Sequence, residues 1–236
     1  VSLAGDVVAF LADGANWSLD DPYDVPNRLV EHLQYTGIAL GLGALVAVPL
    51  GLWIGHTGRF AFLAINAGNA GRSLPTLGLL TLVVTLVGLG LTPVVVALVV
   101  LAVPPLLTGT YAGVRAVDRA AVDAARGQGM TERQVLLGVE VPMALPLIMG
   151  GLRAATLQVV STATVAAYVA LGGFGRFLVD GLAVQDYPQM VAGAVLVAAL
   201  AILLDLLLAG VQRAVVSPGV SGRAAAARPR PRKATA

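Results

Sequence analysis

The chain has 236 residues, 57% of them hydrophobic and 12% charged, with 15 Lys plus Arg against 13 Asp plus Glu and no cysteine. A soluble domain carries roughly a quarter charged residues, so a mean hydropathy of +0.85 excludes an ordinary water-soluble fold. It points to an all-α polytopic membrane protein, built from apolar segments of about 20 residues each. The lack of cysteine excludes disulfides, thiol catalysis and Cys-based zinc sites. His32 and His56 have no metal-like spacing and read as polar residues flanking spans, so no metal or other cofactor is expected. The basic residues behind the pI of 9.3 form no patch interleaved with aromatics, so nucleic acid is not an expected partner.

Residues 1–36 are acidic, with Asp6, Asp13, Asp20, Asp21, Asp24 and Glu31 against Arg28 alone. Asp6 stands where a signal peptide would need basic charge, and Pro, Asn, Asp and Gly punctuate 14–26. This stretch reads as a partly helical leader lying on the membrane surface. The first span is 37–55, with Pro49 as an expected kink. Residues 60–91 are too long for one upright span and are interrupted by Pro75. The second span is therefore placed at 74–89, with 60–72 at the interface or forming a broken helical lead-in. The third span is 94–113, interrupted by Pro104-Pro105. Residues 115–142 are too polar for the membrane. A fourth span covers 146–171, a Gly-rich loop covers 172–188, and a fifth span covers 189–210. The leader, a transmembrane core over 37–213 and a basic, unstructured tail over 214–236 make up the expected organisation.

With about five transmembrane helices the chain ends lie on opposite sides. Placing the C-terminus in the cytoplasm puts every basic residue except Arg28 and Arg176 on the inner face, a strong positive-inside bias. The tail arginines and Lys233 then lie near anionic lipid headgroups. In the polar stretch 115–142, Asp118 is a helix N-cap, and Val117, Ala121, Ala124 and Ala125 share one face at helical spacing. Gly127-Gln128-Gly129 ends that helix, Thr131 with Gln134 starts another as a capping box, and Pro142 marks its end.

Within this loop run Asp123-Ala124-Ala125, three residues, Gly129, nine residues, and Val139-Glu140-Val141-Pro142. The pattern resembles the cytoplasmic loop signature of ABC importer permeases: Glu-Ala-Ala, three residues, Gly, nine residues, Ile-x-Leu-Pro. Asp123, Val139 and Val141 depart from it while keeping charge or apolar character. The resemblance implies the type I ABC importer transmembrane fold in the bacterial plasma membrane. It also implies that this loop plugs into a separate ATPase subunit, beside a second permease chain and an extracytoplasmic solute-binding protein. Stretches at 72–77, 104–111, 125–130 and 171–175 look like the glycine betaine, carnitine and choline branch of that family.

No phosphate-binding loop is present, since the sole lysine is Lys233. ATP hydrolysis therefore belongs elsewhere. Candidate pathway groups are Ser73, Thr76, Thr108, Tyr111, Ser161, Thr162 and Tyr168, with Asn66, Asn69, Gln158 and Thr164 beside them. In each case the plainer alternative is a hydroxyl or amide bonding its own or a neighbouring helix. Asp205 is the one carboxylate inside an apolar span and needs a partner; Arg153 on the preceding span is the candidate, as a structural ion pair. The alternatives are an importer permease for an amino acid or other small solute, and a self-contained channel or carrier. The second is disfavoured by the scarcity of intramembrane charge and the absence of an evident inverted repeat.

Overall fold

The computed structural model describes residues 2–73, 75–217 and 219, with backbone alone for Gly71 and Arg72. Leu74, the Arg72 side chain and residues 218 and 220–236 of the basic tail thus lie outside the described residues, while 214 and 215, expected in the tail, belong to the last helix. Among those described, all regular structure is helical. Four helices are long and apolar enough to cross a membrane: α2 (Val25–Thr57), α5 (Leu91–Arg115), a continuous run over Glu132–Val169 that contains α8 (Val141–Ala163), and α10 (Tyr187–Val215).

The leader is folded onto this core. Helix α1 (Leu3–Ala12) starts at Ser2, whose hydroxyl accepts the Gly5 N–H. Phe10 packs edge-on against Phe177, with ring centres 5.9 Å apart. Trp17 donates its indole N–H to the Leu11 carbonyl, closing the turn that follows. The boundary expected at residue 36 falls inside α2, which begins at Val25 with Pro26 favoured in its first turn and continues through Pro49.

The tight packing comes from small residues. Every fourth position of α2 from residue 39 is small and buried: Ala39, Gly43, Ala47, Gly51 and Gly55. A Cβ on Gly51 would meet Thr110 Cβ at 2.7 Å, and one on Gly55 would meet Val114 Cβ at 2.7 Å. The ladder therefore lets the α2 and α5 backbones close together, as small residues do between membrane helices. Gly43 faces Ala102 in the same register, so α2 and α5 run parallel. Helix α8 crosses α5 antiparallel, where a Cβ on Gly109 would lie 2.6 Å from Gly151 Cα.

Parallel α2 and α5 require the chain to return between them. It does so in two pieces, α3 (Ala61–Ser73) and α4 (Thr76–Val87), broken near Pro75. Helix α4 rises only about 18 Å, short of the hydrocarbon thickness, so the passage needs both pieces. Helix α3 packs one face on α5, where a Cβ on Gly68 would lie 2.8 Å from Thr108 Cγ2.

Two expectations are corrected. Residues 172–188 contain a helix, α9 (Gly175–Val184), whose Phe177 and Gly181 are buried and whose Arg176–Asp180 pair at 2.7 Å is one helical turn long. Pro142 does not end its helix. Directly before it, Leu136–Glu140 form a wider π turn in which the Val141 N–H reaches back to the Leu136 carbonyl. That wider turn gives the proline ring room, and the helix continues as α8.

Candidate functional site

The polar stretch between α5 and α8 is a packed helical corner. Helix α6 (Arg119–Gly127) begins at Asp118, whose carboxylate accepts the Ala120 N–H at 3.0 Å. Val117, Val122 and Ala125 are buried with Val135 and Ala144 in one apolar cluster at this end of the bundle. Val122, unmarked in the sequence reading, anchors the inner face. Ala124 instead lies outward with Ala120, Asp123 and Gly127. Gly129 takes the left-handed conformation at φ 82°, turning the chain into α7 (Glu132–Val135). There Thr131 and Gln134 cap each other reciprocally. Val139 packs on the cluster from the partly buried side, with Val141 half-buried and Pro142 exposed.

Charged groups lock the corner from outside. Arg126 forms two hydrogen bonds of 2.9 Å to Glu132 across the glycine turn, and that carboxylate pushes the guanidinium pKa up. His56, at the end of α2, lies 3.1 Å from Glu132 through Nε2 and bonds Glu140 through Nδ1. A residue read as a span flank therefore ties α2 to both carboxylates of the corner. Its partner Glu140 occupies the variable position of the Val-x-Val-Pro segment, so no sequence pattern marks it.

A cavity of about 470 Å³ opens between α3, α5 and α8. It brings together Asn69, Thr108 and Gln158, with Pro104, Pro105 and Gly151 in its wall. Among the described side chains, none that lines it is charged. The Thr108 hydroxyl donates to the Pro104 carbonyl at 2.7 Å, so toward the cavity it acts as an acceptor. The other pathway candidates lie elsewhere. Thr76 and Thr162 line a separate small pocket, Tyr111 packs against the central core, and Ser73 donates to the Ala70 carbonyl. Thr164 bonds the Ser161 carbonyl; Asn66, Ser161 and Tyr168 are exposed.

Arg153 and Asp205 form a two-point ion pair, Nε to Oδ1 and Nη2 to Oδ2, both 2.8 Å. Gln212 of α10 lies 3.5 Å from the third guanidinium nitrogen and donates to the Pro146 carbonyl. At the opposite end of the bundle, His32 is fully buried rather than flanking. Its Nε2 meets the Val160 carbonyl at 2.9 Å while Nδ1 accepts the Phe174 N–H, an arrangement that needs a neutral ring. Glu31 accepts the Gly173 N–H at 2.7 Å. A Cβ on Gly172 would sit 1.8 Å from that carboxylate, so this glycine permits the close approach.

Residues 47–220 match the family described as binding-protein-dependent transport system inner membrane component. The chain belongs to this family. It is the multi-pass permease subunit of an ABC importer, a system whose ATPase is a separate subunit and whose solute arrives on a binding protein. It is 36% identical over 192 residues to the glycine betaine/carnitine/choline transport system permease protein of Bacillus subtilis, covering 81% of this chain and 88% of the relative. It is also 31% identical over 213 residues to an osmoprotectant import permease protein of Salmonella typhimurium, covering 88% and 99%. Among solved structures, the fold is similar to an inward-facing methionine ABC transporter (TM-score 0.67, 24% identity, 80% of this chain and 94% of that one).

Proposed function

We propose that this permease carries osmoprotectants of the quaternary ammonium type, such as glycine betaine and choline. The observation that supports this best is its identity to permeases named for those solutes over more than four-fifths of the chain. The cavity, with no charged group among its described lining residues, agrees with glycine betaine in particular, a zwitterion with no net charge to neutralise. Two permease chains, this one and a copy or paralogue, pair across the pathway. The outward face of α6 and the Gly129 corner dock the ATPase in the cytoplasm, where the C-terminus also lies.

Labelled glycine betaine and choline uptake in cells with and without the gene, at high and low osmolarity, tests the solute. Gene-dependent uptake of either is expected. Uptake of an amino acid alone would reject the solute class and leave the importer in place. The docking role is tested by Gly129→Val. A β-branched residue in the left-handed region costs about 1–2 kcal/mol, and no atom crowds a Cβ there. The variant should insert normally but lose most ATPase co-purification and uptake. Full retention of both would remove the corner from the docking surface.

A further inference from the structure

In a helix, the carbonyl of residue i is met by the N–H of residue i+4, or of i+3 in a tighter turn. For Leu101 these residues are Pro105 and Pro104, and neither has an N–H. The Leu101 carbonyl therefore lacks both regular donors in the middle of α5, which has no π turn like that before Pro142 to bring the Leu106 N–H back to it, and it is stranded. The nearby hydroxyls are engaged elsewhere, Thr108 on the Pro104 carbonyl and Thr110 on the Leu106 carbonyl. Leu101 is buried, at 2% exposure, yet it lines the cavity. Buried carbonyls without partners are rare because they are costly, so this one is a natural acceptor for whatever the cavity holds.

The two side-chain amides can supply the opposite sense. Asn69 of α3 and Gln158 of α8 bring amide N–H donors to the same space. Among the described residues, the Gln158 amide makes one side-chain bond, in which its N–H donates over a long 3.4 Å to Thr162 Oγ1 on its own helix, leaving its second N–H for the cavity. The cavity thus has a carbonyl pole in an apolar wall of Ile65, Leu101 and the two prolines, and amide donors on the other helices. A primary ammonium needs three acceptors at once, which only the carbonyl, the Thr108 hydroxyl and an amide oxygen together supply, and that would turn an amide away from its donor role. A trimethylated head needs none: its methyls fit the apolar wall, and its charge and polarised C–H groups favour the carbonyl.

We propose that the Leu101 carbonyl stranded by Pro104-Pro105, together with the Asn69 and Gln158 amides, forms a two-pole solute subsite. The quaternary ammonium head lies at the carbonyl wall and a carboxylate, where the solute has one, lies at the amides. The subsite rests on the osmoprotectant reading above, and it adds which atoms discriminate glycine betaine from choline.

The test uses the complete transporter in membrane vesicles, with Ala154→Cys as reporter, because Ala154 lines the cavity and the chain has no other cysteine. Both glycine betaine and choline should slow modification of Cys at this position by a small thiol reagent. Adding Pro105→Ala gives Leu101 its missing N–H and relieves a helix of a proline, so it does not endanger folding. It should raise the half-protecting concentration of both solutes about three- to fivefold, the weight of a polarised C–H contact to a carbonyl. Pro104→Ala, whose new N–H serves Val100, should leave it unchanged. Gln158→Ala should raise it for glycine betaine and spare choline. An unchanged value in Pro105→Ala, or no protection in the parent, overturns the subsite. Labelled uptake in the same vesicles separates the two failures. If the solutes are transported but protection fails these tests, the subsite alone falls; if neither is transported nor protects, both readings fall.

Discussion

Arg153 and Asp205 illustrate what one charged pair does in an apolar bundle. Each would be costly alone at membrane depth, and their two-point contact satisfies both carboxylate oxygens while drawing α8 to α10. Removing one partner leaves an uncompensated charge, which costs more than removing both. Arg153→Leu and Asp205→Leu should each lower the unfolding temperature of the purified permease by several degrees, and the double substitution should recover part of that loss. Strictly additive losses in this double-mutant cycle would mean that the two charges are not coupled. The pair follows from the sequence by elimination, since Asp205 has so few basic groups on neighbouring spans. The His56 bridge does not follow. Its partner Glu140 lies 84 residues away, and nothing local distinguishes His56 from an ordinary helix-end histidine.

Among the helices, the local signals were readable and the pairwise ones were not. Asp118, Thr131 with Gln134, and the Gly129 turn act within four residues of themselves, so their types reveal their roles. Pro142 misleads because a π turn, itself dependent on packing at both sides, absorbs a residue that normally stops a helix. The Gly-rich stretch before α9 hides a helix because its buried face is set by α10. The small-residue ladder of α2 is visible as a four-residue repeat, but its partner α5 emerges only in three dimensions. The α5–α8 crossing offers a sharp test, because two adjacent glycines differ completely in their surroundings. A Cβ on Gly151 would meet the Pro105 carbonyl at 2.8 Å, whereas one on Gly150 meets nothing within 4 Å. Gly151→Ala should therefore force α5 and α8 apart and destabilise by about 1–3 kcal/mol. Gly150→Ala should be neutral or slightly stabilising through its helix preference. Equal thermal stability of the two variants would contradict the close crossing.

The whole bundle has two chemically different ends, and its helix directions separate them. Parallel α2 and α5, antiparallel α8, and α10 running back alongside α8 in the direction of α2 gather His56, the glycine corner and Gln212 at one end. Arg28, Glu31 and the Gly173 turn meet at the other. Among the described residues, the corner end holds Arg59, Arg115, Arg119, Arg126, Arg133 and Arg213, while the opposite end holds Arg28, Arg176 and the acidic leader. Lys and Arg near short loops stay on the cytoplasmic side during insertion, so the corner end should face inward and the leader outward. The cysteine-free sequence makes this directly measurable. In Asp20→Cys and Gln128→Cys the new thiols lie on exposed positions at opposite ends. Neither site is needed to hold the helices together, so both variants should fold. An impermeant maleimide should label the Asp20→Cys variant in intact cells, and the Gln128→Cys variant only after lysis. Labelling of the second variant in intact cells would invert the bundle and put its glycine corner beyond reach of any cytoplasmic ATPase.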